Sequence, residues 1–208
     1  MGAHFIEPDL VLTKDGALVA NQDVNLRDIT DIADRPEFAC RVATRTIEHV
    51  TETGWLSDDL TLAEFKLLRG RQRYAGRDHA YDDLLPSLDD ILQYAINTNT
   101  QRKALHLPLI GVYLETKHPG YFCEQLDLEM EDLLYEALLR YNLTTWQRAS
   151  EVCPVVLQSF YPESLERLAQ LTDLPLVLLL LSSLKINEAA ISFAQERYHG
   201  IGPALTQL

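Results

Sequence analysis

The chain has 208 residues, 47% of them hydrophobic, and a net charge of −13. That is ample for one packed domain. The acid excess disfavours nucleic acid and anionic membrane as partners, but not a phosphate ester held through a metal ion.

Phe5 to Thr13 reads as a strand, Lys14-Asp15-Gly16 as a turn, and Leu18 to Ala20 as a short returning strand. Residues 21–86 are polar and irregular, with one helix expected over Leu62 to Arg69. Thr61 and Glu64 form a capping-box pattern at its start. A segment this long reads as a functional insertion or lid. Ser87 caps a helix that carries Leu88, Ile91, Leu92 and Ala95 on one face. Leu109 to Glu115 is a strand. Glu124 to Tyr141 is expected to be one long helix striped by Leu126, Met130, Leu133, Leu134 and Leu138. Pro154 to Phe160 is a strand, and Pro162 to Thr172 a helix. Pro175 to Leu181 is an aliphatic strand expected to be buried on both faces. Glu188 to Tyr198 is a further helix. This alternation predicts a parallel α/β architecture, either a doubly wound sheet or a (β/α)8 barrel.

In both architectures chemistry gathers at the carboxyl ends of strands. Glu7 and Asp9, two apart on a strand, share a face. Glu115 and Lys117 end the next long strand, and Gln158 and Ser159 end the third. Three carboxylates and a lysine on strand ends converge on one spot. Such hard oxygen donors suit Ca²⁺ or Mg²⁺ better than zinc. Cys40, Cys123 and Cys153 form no CxxC pair and read as ordinary thiols of a reducing compartment. No basic and apolar leader precedes Glu7, so no signal peptide is expected and the chain as given reads as cytoplasmic. The apolar run Leu174 to Leu184 is too short to span a bilayer.

The segments "IEPDLVLTKDGALVANQD", "GWLSDDLTLAEFKLL", "GVYLETKHPGYF", "PVVLQSF" and "YHGIGP" resemble glycerophosphodiester phosphodiesterases. The resemblance is to the longer, GlpQ-like branch with an insertion after the second strand. It runs with gaps from about Phe5 to Pro203. It implies a partial (β/α)8 barrel, residues 1–208 as a single domain, and 21–86 as the insertion. The first barrel strand, with an HRG motif and one histidine, and the last strand–helix units are expected to lie outside this sequence. It implies a divalent metal, Ca²⁺ or Mg²⁺, on Glu7, Asp9 and Glu115, with Lys117 near the phosphate. Gln158, at a strand end, either contacts the substrate or hydrogen-bonds its own loop. The family's second acid–base histidine matches Gln22, which cannot exchange a proton near neutral pH.

The implied activity is hydrolysis of a glycerophosphodiester to glycerol 3-phosphate and an alcohol, in lipid and glycerol metabolism. The alternative is an inactive relative that binds metal or glycerophosphate without turnover. Many relatives are exported. Open sheet edges would permit self-association. Lys117 also has a plainer reading as a salt-bridge partner of Glu115 or Asp9. Trp55 and Phe65 either stack on a head group or anchor the insertion in the core. Ser159 either lines the pocket or bonds its own loop. His118 and His4 lie close in sequence to the site and are the candidates for replacement acids, but His118 reads as a structural part of its loop, His4 would reach the mouth only from an unpaired terminus, and His79 and His106 read as surface.

Overall fold

The computed structural model describes residues 3–74, 76–77, 83–181 and 188–204. In chain order, β1 (Phe5–Ile6), β2 (Asp9–Leu12) and β3 (Leu18–Ala20) open the fold. A hairpin of β4 (Ala43–Ile47) and β5 (Val50–Gly54) follows, then α1 (Leu62–Phe65) and α2 (Leu88–Ala104). Next come β6 (Gly111–Thr116), α3 (Pro119–Leu126), α4 (Met130–Arg140), α5 (Trp146–Val152) and β7 (Val155–Ser159). The last elements are α6 (Pro162–Leu171), β8 (Leu176–Leu180), α7 (Glu188–Gln195) and β9 (Gly200–Pro203).

The main sheet has the order β3-β2-β6-β7-β8-β9, with β1 also on β6. Only the β2–β3 pair in it is antiparallel. The parallel strands are joined by helical crossovers, as their geometry requires. Among the described residues the sheet does not close, so the chain forms a partial barrel. β1 and β2 are one strand interrupted at Glu7-Pro8. Phe5 stands opposite Gly111 and Asp9 opposite Glu115, so the register on β6 is the same on both sides of the break. Pro8 lacks an N–H for the ladder, but its carbonyl accepts from Glu115 N–H at 3.1 Å.

Helix starts follow the predicted caps. Ser87 Oγ accepts from Asp90 N–H at 3.3 Å, and the Asp90 carboxylate accepts from Ser87 N–H at 2.7 Å. Behind that cap, Leu88, Ile91, Leu92 and Ala95 are all buried. Each large member of that stripe is worth about 1.5–3 kcal/mol on burial. Thr61 and Glu64 make the same reciprocal box. The helix after it stops at Phe65 rather than Arg69, because Asp31 Oδ1 takes the Arg69 N–H at 2.8 Å and draws the chain out.

Other expectations need correction. Residues 124–141 hold two helices, not one, with Asp127 between them in a left-handed conformation at φ 56°. Residues 21–86 are not wholly irregular. They contain the β4–β5 hairpin, which turns through Glu48 and His49 at φ 48° and 81°. β8 is buried on one face only: Leu176, Leu178 and Leu180 are buried, while Val177 and Leu179 are half-buried on the open side. The other face of the sheet carries the core, with Leu10, Leu12, Val112, Leu114, Val155 and Leu157 covered by helices.

Candidate functional site

Sheet register builds the site. Asp9 faces Glu115 across β2 and β6, and Glu115 faces Gln158 across β6 and β7. The row continues through Val177 to Gly200. Period-two alternation brings Glu7 and Lys117 to the same face. One carboxylate oxygen from each of Glu7, Asp9 and Glu115 lies within 4.8 Å of the others. Lys117 Nζ is 3.1 Å from Glu115 Oε1 and 3.9 Å from Asp9 Oδ1. It also lies 5.9 Å from the centre of the Phe160 ring. Gln158 Nε2 donates to Glu7 Oε1 at 2.6 Å.

The electrostatics are those of a site short of positive charge. Glu115 is buried, and burial together with Asp9 pushes its carboxyl up to about 8, against the pull of Lys117. Its Oε1 is buried and accepts no directed hydrogen bond, although Lys117 stands beside it. Glu7 is the most exposed of the three. Partial burial and then Asp9 raise its carboxyl, while Gln158 and Lys117 lower it. When ionised, three carboxylates face one ammonium. Three carboxylates converging around a single ammonium form a donor set that fits a hard divalent cation. A cavity of about 460 Å³ opens on the cluster, walled by Glu7, Glu115, Gln158, Phe160, Leu179 and Gly202.

The other residues singled out in the sequence stand at varying distances from it. Asn21 N–H donates to the Asp9 carbonyl at 2.9 Å, so the segment leading to Gln22 runs beside the cluster. Gln22 Oε1 accepts from Arg73 Nη2 at 2.6 Å, and Arg73 is 3.3 Å from Asp23 and 5.2 Å from the Tyr74 ring centre. Ser159 does not face the cavity. Thr116 Oγ1 donates to Ser159 Oγ at 2.9 Å and also meets Ser164 Oγ at 2.9 Å, a buried hydroxyl trio on the helix-covered face. Trp55 donates to the Phe38 carbonyl at 2.6 Å and Phe65 is fully buried, so both anchor residues 21–86 in the core.

His118 is structural in its contacts, with Nδ1 2.7 Å from Glu48 Oε1 and 3.0 Å from Tyr161 Oη. His4 is exposed at the start of the first strand. His106 is exposed in a left-handed turn at φ 54°. His79 lies outside the described residues. Sequence reasoning missed Phe160 and Arg73. Phe160 stands two residues after Gln158, and that spacing could have shown it.

A family model described as the glycerophosphoryl diester phosphodiesterase family matches residues 1–205. The chain is 33% identical over 187 residues to glycerophosphodiester phosphodiesterase GDPD6 of Arabidopsis thaliana, covering 86% of this chain and 48% of that protein. It is 30% identical over 129 residues to glycerophosphodiester phosphodiesterase GDPDL1 of the same plant, covering 61% of this chain and 15% of that one. The chain thus spans about half the length of GDPD6. A crystal structure from Silicibacter pomeroyi, assigned to the same group, aligns with a TM-score of 0.65 at 19% identity, covering 97% of this chain and 65% of the other. One from Galdieria sulphuraria gives 0.60 at 18%, covering 98% and 64%. These structural likenesses concern the fold. No helix among the described residues is long and apolar enough to cross a membrane.

Proposed function

Because the chain belongs to the glycerophosphoryl diester phosphodiesterase family, we propose that it binds a glycerophosphodiester and hydrolyses it to glycerol 3-phosphate and an alcohol. The observation that carries this reading is the convergence of Glu7, Asp9 and Glu115 within 4.8 Å, with Lys117 against them. Glu7, Asp9 and Glu115 would hold Ca²⁺ or Mg²⁺. Such a cation, when bound, neutralises charge on a phosphoryl oxygen. Lys117 would supply a second positive point for the phosphate beside the carboxylates it now contacts. Phe160 backs the ammonium and directs it. Gln158 holds Glu7 in the donor set. Residues 21–86 form the insertion beside this mouth.

Gln22 favours a second reading, in which metal and phosphate bind without turnover. Its amide exchanges no proton near neutral pH, and its oxygen is already occupied by Arg73. Losing one acid–base group costs about 10²–10⁴-fold in rate.

The test is release of glycerol 3-phosphate from glycerophosphocholine by the purified chain, with Ca²⁺ or Mg²⁺ added and with EDTA, beside a calorimetric Ca²⁺ titration. Turnover abolished by EDTA and by Glu7→Ala establishes the first reading. Cation binding lost in Glu7→Ala, with no turnover, establishes the second. A folded chain that binds no divalent cation overturns both.

A further inference from the structure

Residues 21–86 meet the turn after Lys117 through Glu48, whose Oε1 is 2.7 Å from His118 Nδ1. We infer that Glu48, at the tip of the β4–β5 hairpin, is a positioning residue that acts through His118 to fix where Lys117 stands. The inference rests on the reading of Lys117 as the phosphate contact.

His118 adopts φ 47°, a left-handed conformation that non-glycine residues occupy only when their surroundings enforce it. Three attachments enforce it here. Glu48 Oε1 is 2.7 Å from His118 Nδ1. Tyr161 Oη, which donates to the same Glu48 oxygen, is 3.0 Å from that nitrogen. The His118 carbonyl accepts from Phe122 N–H at 3.3 Å and starts α3. Burial and then Glu48 push the Tyr161 hydroxyl far above its ordinary value, so it stays a donor.

Both partners of Glu48 are chain neighbours of the groups that frame the ammonium. Lys117 directly precedes His118, and its own N–H donates to the Leu10 carbonyl at 3.1 Å. Phe160, whose ring lies beside the Lys117 ammonium, directly precedes Tyr161. The hairpin itself has little else to do at that end. Thr44, Thr46, Thr51 and Thr53 are exposed, and Ile47 is the one buried side chain on the tip half. Its base is pinned by Arg45, whose guanidinium is 2.7 Å from Asp59 and 3.2 Å from Asp58. A ribbon tied only at base and tip transmits its tip contact to whatever the tip holds, and that is the turn between Lys117 and α3.

The experiment measures inorganic phosphate binding at saturating Ca²⁺, and Ca²⁺ binding alone, by calorimetry, with melting temperatures recorded. Glu48→Ala is expected to weaken phosphate about tenfold, leave Ca²⁺ affinity unchanged, and be largely rescued by Glu48→Asp. In a His118→Gly background, Glu48→Ala is expected to add no further loss. Should Glu48→Ala unfold the chain, the isosteric Glu48→Gln carries the same test. Unchanged phosphate affinity in Glu48→Ala, or in Glu48→Gln where that variant replaces it, overturns the inference. So does an equal loss in the His118→Gly background, or a loss of Ca²⁺ affinity in parallel with phosphate. A wild-type chain that binds Ca²⁺ but no phosphate overturns the role of Lys117 and this inference with it, before any variant is made.

Discussion

Gln158 donates its side-chain N–H to Glu7 Oε1 across 2.6 Å, joining residues 151 positions apart. The bond ties the most exposed of the three clustered carboxylates to the far strand of the site. Burial and Asp9 favour the protonated form of Glu7, and this bond opposes them. Gln158→Ala is therefore expected to lower Ca²⁺ affinity about tenfold, read by calorimetry. An unchanged affinity would mean that Glu7 needs no such support.

The raised Glu115 carboxyl makes stability depend on pH, and with Glu115 as the proposed metal ligand it makes cation affinity depend on pH as well. Its ordinary value is 4.5, and in the fold it stands at about 8. Between these values the folded chain holds a proton that the unfolded chain has released. Stability without metal therefore falls as pH rises through that window. A divalent cation must displace the proton, so its affinity rises with pH toward about 8 and its binding releases a proton. Melting temperatures at about pH 5 and about pH 9 should differ little with Ca²⁺ at the lower value and clearly at the higher. Equal stabilisation by Ca²⁺ at both would contradict the assignment of Glu115 as a ligand.

Asn99 is buried in α2 and fully bonded. Its Nδ2 donates to the Ile110 carbonyl at 2.7 Å and the Val152 carbonyl at 3.0 Å, and its Oδ1 accepts from Ile110 N–H at 2.8 Å. These bonds join α2 to the chain entering β6 and to the end of α5. Asn99→Ala leaves buried backbone groups unpaired and is expected to cost about 3 kcal/mol. The urea midpoint should fall with its slope unchanged; a shift within error would show that water replaces all three bonds.

Gly111 lets two strands meet. A Cβ there would stand 2.6 Å from the Pro154 carbonyl oxygen and 2.4 Å from Phe5 Cε1. The ring can move, but the carbonyl belongs to the backbone. Gly111→Ala is expected to cost about 1–3 kcal/mol in thermal or urea unfolding. Pairing it with Phe5→Ala should recover only part of the loss; full recovery would identify the ring as the whole obstacle.

Much of this was legible where one local rule acted alone. The Thr61–Glu64 capping box was readable from residues three apart and Ser87 was readable as a cap, while the carboxylate cluster followed from the period-two spacing of Glu7 and Asp9 and from the place of Glu115 and Lys117 at a strand end. The β4–β5 hairpin was hidden because its strands alternate threonine with other residues and show scarcely any apolar stripe. Its turn fills two left-handed positions with Glu48 and His49 instead of the usual asparagine and glycine. The break between α3 and α4 was masked because Leu126 and Met130 are four apart, as they would be on one helix. The contact between Gln22 and Arg73 spans 51 positions, and no spacing rule reaches that far.

Parity governs what a strand shows to each side. On β6 and β7, Glu115 and Gln158 face the open side, while Thr116 and Ser159 face the helices. Sliding β6 by one residue would drive a carboxylate into hydrocarbon beneath α6 and present a threonine to Glu7 and Asp9. The trio of Thr116, Ser159 and Ser164 discriminates against that slip, because its hydroxyls find one another only in the present alignment. Three side chains with no part in the chemistry thereby act as an indexing pin, holding the acidic residue on the side where it is useful.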